Sequence, residues 1–244
     1  MFVTHPADAY SYAFLLGMYL GDGHVADTRR SFQLRITLDG LYPDVISECA
    51  GAMVLSLPAV HPRIRRDRAE RRMNVDAGSK HWPDLFPQMG PGRKHERPIV
   101  LAPWQREIVE AHPWPFVRGL IHSDGCRTVN RFKTRLPSGR VAEYAYPRYF
   151  FSNLSADIRG LFCESCERLG LRWTQSNHRN ISISHRTSAR CSMRTWGRSA
   201  ERYAARRSCC ASAARRRGRR EGSRSLPRRR CSSRATDLRA CSMT

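Results

Sequence analysis

The chain has 244 residues, enough for one large domain or two small ones, and carries 43 Lys and Arg against 21 Asp and Glu, a formal net charge of +22 with pI near 10.8. Such a balance points to a polyanionic partner, nucleic acid ahead of an anionic membrane surface. No apolar run reaches the roughly 18 residues a bilayer requires, and "MFVTHPADAYSY" lacks the basic-then-apolar order of a signal peptide, so no membrane span and a cytoplasmic location are expected.

In chain order, the first predicted element is an apolar helix, "AFLLGMYLGDGHV" (13–25), that ends on Asp22 between Gly21 and Gly23. A helix C-terminus carries partial negative charge and disfavours a carboxylate, so something must compensate Asp22. "SFQLRITL" follows as a strand in which Phe32, Leu34, Ile36 and Leu38 alternate with Gln33, Arg35 and Thr37. One face can meet a core while the other offers groups able to read base edges. "YPDVISECAGAMVLSL" has the period of a helix, and "VHPRIRRD" and "RRMNVDAGS" read as strands whose Arg63, Arg65, Arg66, Arg71 and Arg72 can contact phosphate. "GPGRKHERPIVLAPWQ" is rich in Pro, Gly and charge and reads as a linker. Its Arg93, Lys94 and Arg97 either touch phosphate or are solvated.

Residues 116–125, "FVRGLIHSDG", repeat the pattern of 14–23, "FLLGMYLGDG". Phe14, Gly17, Asp22 and Gly23 match Phe116, Gly119, Asp124 and Gly125 at a constant offset of 102. The segments after each copy agree: "YPRYFFSNLS", with Arg148, then the helix "ADIRGLFCESCERLGL", then "RWTQSN" and "NISISH", where Ile181 and Ile183 alternate with Asn180, Ser182 and Ser184. The long helices begin at Asp44 and Asp157, an offset of 113, and the 11 extra residues fit an extended hairpin around "LPSGR". Each unit therefore reads helix, strand pair, helix, strand pair. The expected division is 1–90 for the first unit, 91–110 for a linker, 111–187 for the second unit, and 188–244 for a tail.

The two copies resemble the dodecapeptide of the LAGLIDADG homing endonucleases, over roughly residues 10–187. That resemblance implies an α+β fold of two pseudo-twofold αββαββ units, with paired helices at the interface and a DNA-facing saddle of antiparallel sheets. It implies a single-chain, monomeric, site-specific endonuclease that hydrolyses phosphodiester bonds of double-stranded DNA with Mg²⁺ or Mn²⁺. The alternative is a catalytically silent DNA-binding protein or transcriptional regulator on the same scaffold.

Within that frame Gly17 and Gly119 allow backbone-to-backbone helix packing, while Gly23 and Gly125 suit a left-handed residue closing each helix. Asp22 and Asp124 then lie close together as catalytic acids and metal ligands, since Mg²⁺ takes oxygen donors and commonly one or two carboxylates. Aligning "SKHWPDLF" with "HRTS" makes Lys80 and Arg186 candidates for stabilising the scissile phosphate. Gln33, Arg35, Thr37, Arg63, Arg65, Arg148, Asn180, Ser182 and Ser184 are the candidate DNA contacts. His122 and Ser123 depart from the motif, and an intact intein is not expected, because no splicing nucleophile or His-Asn ending is present.

Cys49, Cys126, Cys163 and Cys166 are irregularly spaced and expected to be free thiols, and no second CxxC or HxxxH completes a zinc site. From Ser188 the chain has 17 Arg against three acids, a net +14 that leaves +8 for residues 1–187, with no Lys, no His and no apolar period. Such a segment cannot bury enough surface to fold. Shifting the reading frame over Arg190–Arg198 permits a string such as LLDEDVGP, an amphipathic helix ending at Gly. The tail is therefore expected to be disordered and frameshifted, the alternative being a native Arg-rich nucleic-acid tail.

Overall fold

Asp8 starts the first helix. Its carboxylate accepts a hydrogen bond from Ser11 N at 2.7 Å, and α1 (Ala9–Asp22) follows in a computed structural model that describes residues 5–67 and 71–183. From Tyr12 to Leu20 every residue of α1 is buried, so this helix is apolar all round and runs through the core. Two strands, β1 (Gly23–Asp27) and β2 (Phe32–Asp39), precede α2 (Pro43–Ser56), and β3 (Arg63–Arg66) and β4 (Arg72–Ser79) complete an antiparallel sheet of order β1-β2-β4-β3. A single turn of helix, α3 (Trp82–Leu85), closes the first repeat.

The second repeat has the same order: α5 (Pro113–Asp124), β5 (Gly125–Arg135), β6 (Val141–Ser152), α6 (Ala156–Arg168), β7 (Thr174–Asn177) and β8 (Asn180–Ile183), with sheet order β5-β6-β8-β7. The fold is therefore α+β, two αββαββ units each with a four-stranded antiparallel sheet. Leu34 and Ile36 of β2 lie opposite Ala77 and Val75 of β4, and Tyr149 and Phe151 of β6 opposite Ile183 and Ile181 of β8, all buried. These inward residues meet the helices in one contiguous core, and α1 packs on α5 at its centre.

The hairpin of the second repeat is longer, with strands of 11 and 12 residues against 5 and 8 in the first. Its turn is closed by Leu136 N to Arg140 O at 2.8 Å and Gly139 N to Leu136 O at 2.9 Å, with Gly139 at φ +80°, where a Cβ would be strained.

The segment between the repeats is more structured than a solvated linker. It contains a 3₁₀ turn (Lys94–Glu96) and a further helix, α4 (Pro103–Ala111), with Pro in its first turn. Gln105 of α4 is fully buried, donates to Tyr12 Oη at 2.7 Å and Leu85 O at 3.1 Å, and accepts from Gln88 Nε2 at 2.5 Å. Gln105 shares the buried face of α4 with Val109, and Trp104 and Ile108 pack against the core beside them, a short apolar stripe that the Pro- and charge-rich residues before it obscure in the sequence.

Cys49, Cys126, Cys163 and Cys166 are free, and burial raises the pKa of Cys163 to about 11 and that of Cys49 further. No helix of the described residues is long and apolar enough to cross a membrane. Ser184, Arg186 and the whole tail from 188 lie outside the described residues.

Candidate functional site

The site is built where α1 meets α5. A Cβ placed on Gly17 would lie 2.4 Å from Phe116 O, and one on Gly119 would lie 2.3 Å from Phe14 O, while the two glycine Cα atoms flank each other. No side chain separates the helices here, which offsets the cost of glycine inside a helix, about 1 kcal/mol each relative to alanine. One turn on, the pseudo-symmetry breaks. Gly21 faces Ser123, its own counterpart in the repeat, and a Cβ at Gly21 would fall 2.1 Å from Ser123 Oγ. Only one of these two positions can carry a side chain, so the serine that departs from the motif is matched by the glycine across the axis. His122, counterpart of Leu20, is 1% exposed with its ring edge-on to Phe14, and burial first, then Arg118, lowers its pKa to about 3.

Asp22 and Asp124 are the last residues of the two helices. Asp124 Oδ2 approaches the end of α1, 3.1 Å from the Cβ position of Gly21, and accepts from Asn153 Nδ2 at 2.7 Å. Asn153 also uses its Oδ1 to accept from Ser155 N at 2.8 Å, which ties the carboxylate to the start of α6.

The cation that Asp22 demands comes from the segment between the repeats. Lys94 Nζ donates to the carbonyls of Tyr19, Leu20 (3.2 Å), Gly21 (3.3 Å) and Gly23 (2.6 Å), and lies 4.6 Å from the centre of the Tyr19 ring. It therefore satisfies the orphan carbonyls of Leu20 and Gly21 at the α1 terminus and opposes its dipole. Burial lowers the Lys94 pKa to about 8, against the raising influence of Asp124 and then Asp22. Lys94, Asp124, Asn153, Gly21 and Gly23 line one cavity of about 420 Å³. Sequence reasoning missed Lys94 as a member of this site. The available signal was the helix end itself, which needs a cation whether or not a metal is present.

Three placements differ from the sequence-based expectations. Gly23 and Gly125 are extended, at φ −91° and −101°, and not left-handed. Glycine is needed there because a Cβ would lie 2.4 Å from Tyr19 Cα and 2.7 Å from Ile121 Cα, where each chain turns directly from helix into strand, rather than at the helix–helix interface. Lys80 is exposed beyond the end of β4 and does not line the cavity, where Lys94 stands instead. Ser182 is 1% exposed.

On the first sheet the polar side carries Gln33, Arg35, Thr37, Arg63 and Arg65. Arg35 Nε lies 2.6 Å from Asp76 Oδ1 and Arg65 Nη2 lies 2.7 Å from Asp76 Oδ2, with the arginines about half exposed and Asp76 2% exposed beneath them. Thr37 Oγ1 donates to Asn74 Oδ1 at 2.8 Å. A buried carboxylate thus sets two guanidinium groups side by side on a surface that stays net positive. On the second sheet, Ser182 Oγ accepts from Arg148 Nη2 at 3.1 Å and pairs with Thr174 Oγ1 at 2.9 Å, so Ser182 positions Arg148 over Phe150. Asn180, partly exposed, opens β8. The overhanging hairpin adds Phe132, stacked on Tyr144 and edge-on to Tyr146.

No family model and no curated protein sequence matches the chain. Solved structures similar to it include LAGLIDADG proteins. The chain is 16% identical to I-DmoI, in a complex with DNA and Mn, over 72% of this chain and 90% of that one, with TM-score 0.44. It is 9% identical to the LAGLIDADG meganuclease I-AabMI bound to uncleaved DNA, over 87% and 92%, with TM-score 0.48. For full-length DUF199/WhiA from Thermatoga maritima the values are 14%, 87%, 67% and 0.48. At these identities the likeness is one of fold.

Proposed function

We propose that the chain is a LAGLIDADG-type, divalent-metal-dependent endonuclease that binds double-stranded DNA across the polar sides of its two sheets. The observation that supports this reading is the meeting of two acid-terminated helices at Gly17 and Gly119, beside a cavity lined by Asp124 and Lys94, with both Asp124 and Asp22 acting electrostatically on the Lys94 ammonium. Asp22 and Asp124 together with the carbonyls of Gly21 and Gly23 would offer an all-oxygen donor set suited to a hard cation, and those two carbonyls already accept from one, the Lys94 ammonium. Asp22 and Asp124 would hold Mg²⁺ or Mn²⁺, which when bound supplies an activated water and stabilises the leaving oxygen in phosphodiester hydrolysis.

The remaining work falls to side chains of the chain itself. Asn153 holds Asp124 in place, Arg148, Arg63 and the Asp76-clamped pair Arg35 and Arg65 provide phosphate and base contacts, and Gln33, Thr37 and Asn180 add neutral polar groups. Asp22→Asn and Asp124→Asn should each abolish Mg²⁺-dependent cleavage of a randomised duplex library while leaving binding intact or tighter, since a negative charge facing phosphate is lost. Full cleavage by either variant refutes the assignment.

A second reading, DNA binding without cleavage, is favoured by one observation: the cation position is filled by Lys94. Its signature is a wild-type protein that selects one duplex from the library yet cuts none with Mg²⁺ or Mn²⁺.

A further inference from the structure

Lys94 is the unexpected member of the centre. Its side chain comes from outside both repeats, carried over the end of α1 by a segment pinned on both sides. Before Lys94, Gln88 donates to Val100 O at 2.9 Å and to Gln105; after it, Ile99 N donates to Asp157 Oδ2 at 2.8 Å, at the start of α6. Glycines shape the approach: Gly92 has φ +77°, and Gly90 leaves room for Arg97, whose guanidinium would lie 3.2 Å from a Cβ there. At the end of the pseudo-symmetric partner α5 the Asp124 carboxylate is held by an amide, Asn153 Nδ2 at 2.7 Å.

We infer that Lys94 is the resident cation of this centre, and that its ammonium must leave before Asp22 and Asp124 can take a divalent cation. The inference rests on the reading of the two aspartates as metal ligands. Its physical basis is simple. The ammonium occupies the carbonyls of Gly21 and Gly23 that border Asp22, and both aspartates act on it electrostatically. A dication arriving beside it meets a like charge in a partly desolvated cavity, where repulsion is weakly screened. Withdrawal of Lys94 leaves two carboxylates and an uncapped helix end facing one another, an arrangement that a dication relieves. Lys94 thereby sets a threshold for metal entry.

The test uses the full chain and Mn²⁺ alone, with free ion followed by electron paramagnetic resonance. Lys94→Met keeps the aliphatic stem and removes the charge. It should bind Mn²⁺ on the order of tenfold more tightly than wild type, and the gain should vanish in the double variant with Asp124→Asn. In wild type, the Lys94 amine should be sheltered from acetylation without metal and label several-fold faster when Mn²⁺ is saturating, as read by mass spectrometry. Should Lys94→Met not fold, this wild-type labelling decides alone. Equal Mn²⁺ affinity in the two proteins, or a Lys94 that stays sheltered in the Mn²⁺-saturated wild type, overturns the inference and leaves the two-carboxylate metal site standing. Absence of Mn²⁺ binding in both proteins removes that metal site as well.

Discussion

Replacing His122 by Leu, the residue at the matching place in the first repeat, should abolish a large acid sensitivity. His122 is buried where α5 meets α1, and burial first, with help from Arg118, lowers its pKa from 6.5 to about 3. The folded-state value lies below the unfolded one, so over this range the unfolded chain binds the extra proton. Stability from this group is whole above about pH 6.5 and is lost as pH falls toward 3. At pH 5 the loss amounts to about 2 kcal/mol, taking the difference in proton binding between the two states. With a urea m-value of about 2 kcal/mol/M, that is a midpoint lower by about 1 M. The assay is urea unfolding of wild type and His122→Leu at pH 7.5 and pH 5.0. Carboxylates titrate in both proteins and cancel in the comparison. The variant should be within about 1.5 kcal/mol of wild type at pH 7.5, as expected for a swap that roughly conserves volume, and should lose about 2 kcal/mol less on acidification. An identical acid loss in the two proteins would refute the view that a neutral imidazole is locked between the helices.

Gly17→Ala should lower stability by about 3 kcal/mol or more in urea unfolding, at the top of the range for overpacking, because the new methyl meets backbone rather than a movable side chain; a loss below about 0.5 kcal/mol would mean that the helices are not in backbone contact. Gly21→Ala should destabilise through Ser123, and adding Ser123→Gly should restore most of the loss, a coupling measured by a double-mutant cycle; additive effects would contradict the pairing. Arg35→Ala should relax preference at one position of a selected duplex by about 1–3 kcal/mol, or, if the group meets only phosphate, weaken all sequences alike and flatten the salt slope. Asp76→Ala removes a negative charge yet should reduce discrimination between duplexes, measured as the ratio of specific to non-specific Kd; a higher ratio would mean that the carboxylate positions nothing.

The repeat was legible because it is written in local pattern. The 102-residue offset, the alternation in "SFQLRITL" and the turn chemistry of "LPSGR" each specify geometry within a few neighbours, and the paired sheets and long hairpin follow from them. What escaped is tertiary. Ser182 has the strand period of an outward residue, but Arg148 and Thr174 close over it. Asp76 sits in a strand that reads as polar, and its burial is explained only by the guanidinium groups that close over it from β2 and β3, Arg35 and Arg65. A helix-ending glycine is most often left-handed, whereas after α1 the strand begins at once and the constraint on Gly23 is contact with the preceding turn. Lys94 lies more than 70 residues from the carbonyls it satisfies, a distance over which no periodicity operates.

Duplication followed by divergence within one chain explains why the two halves of the centre are now unlike. A symmetric pair of acid-ended helices would confront two like charges, two helix dipoles and two sets of orphan carbonyls with no internal relief. In this chain each end has found a different answer. Asp124 is held by the Asn153 amide, a neutral donor that fixes position without cancelling charge, whereas the end of α1 receives a full positive charge from Lys94. The two helices differ sterically as well, since Gly21 yields space to Ser123 and the buried His122 stands where the first repeat has Leu20. The Lys94 charge thus serves both carboxylates, Asp124 first and then Asp22, while the neutral amide clamp is found on the Asp124 side. Asp22 and Asp124 are for that reason unequal in stability as well as in chemistry. Neutralising Asp22 deprives the Lys94 ammonium of a nearby counter-charge, while neutralising Asp124 also disturbs the Asn153 bridge to α6.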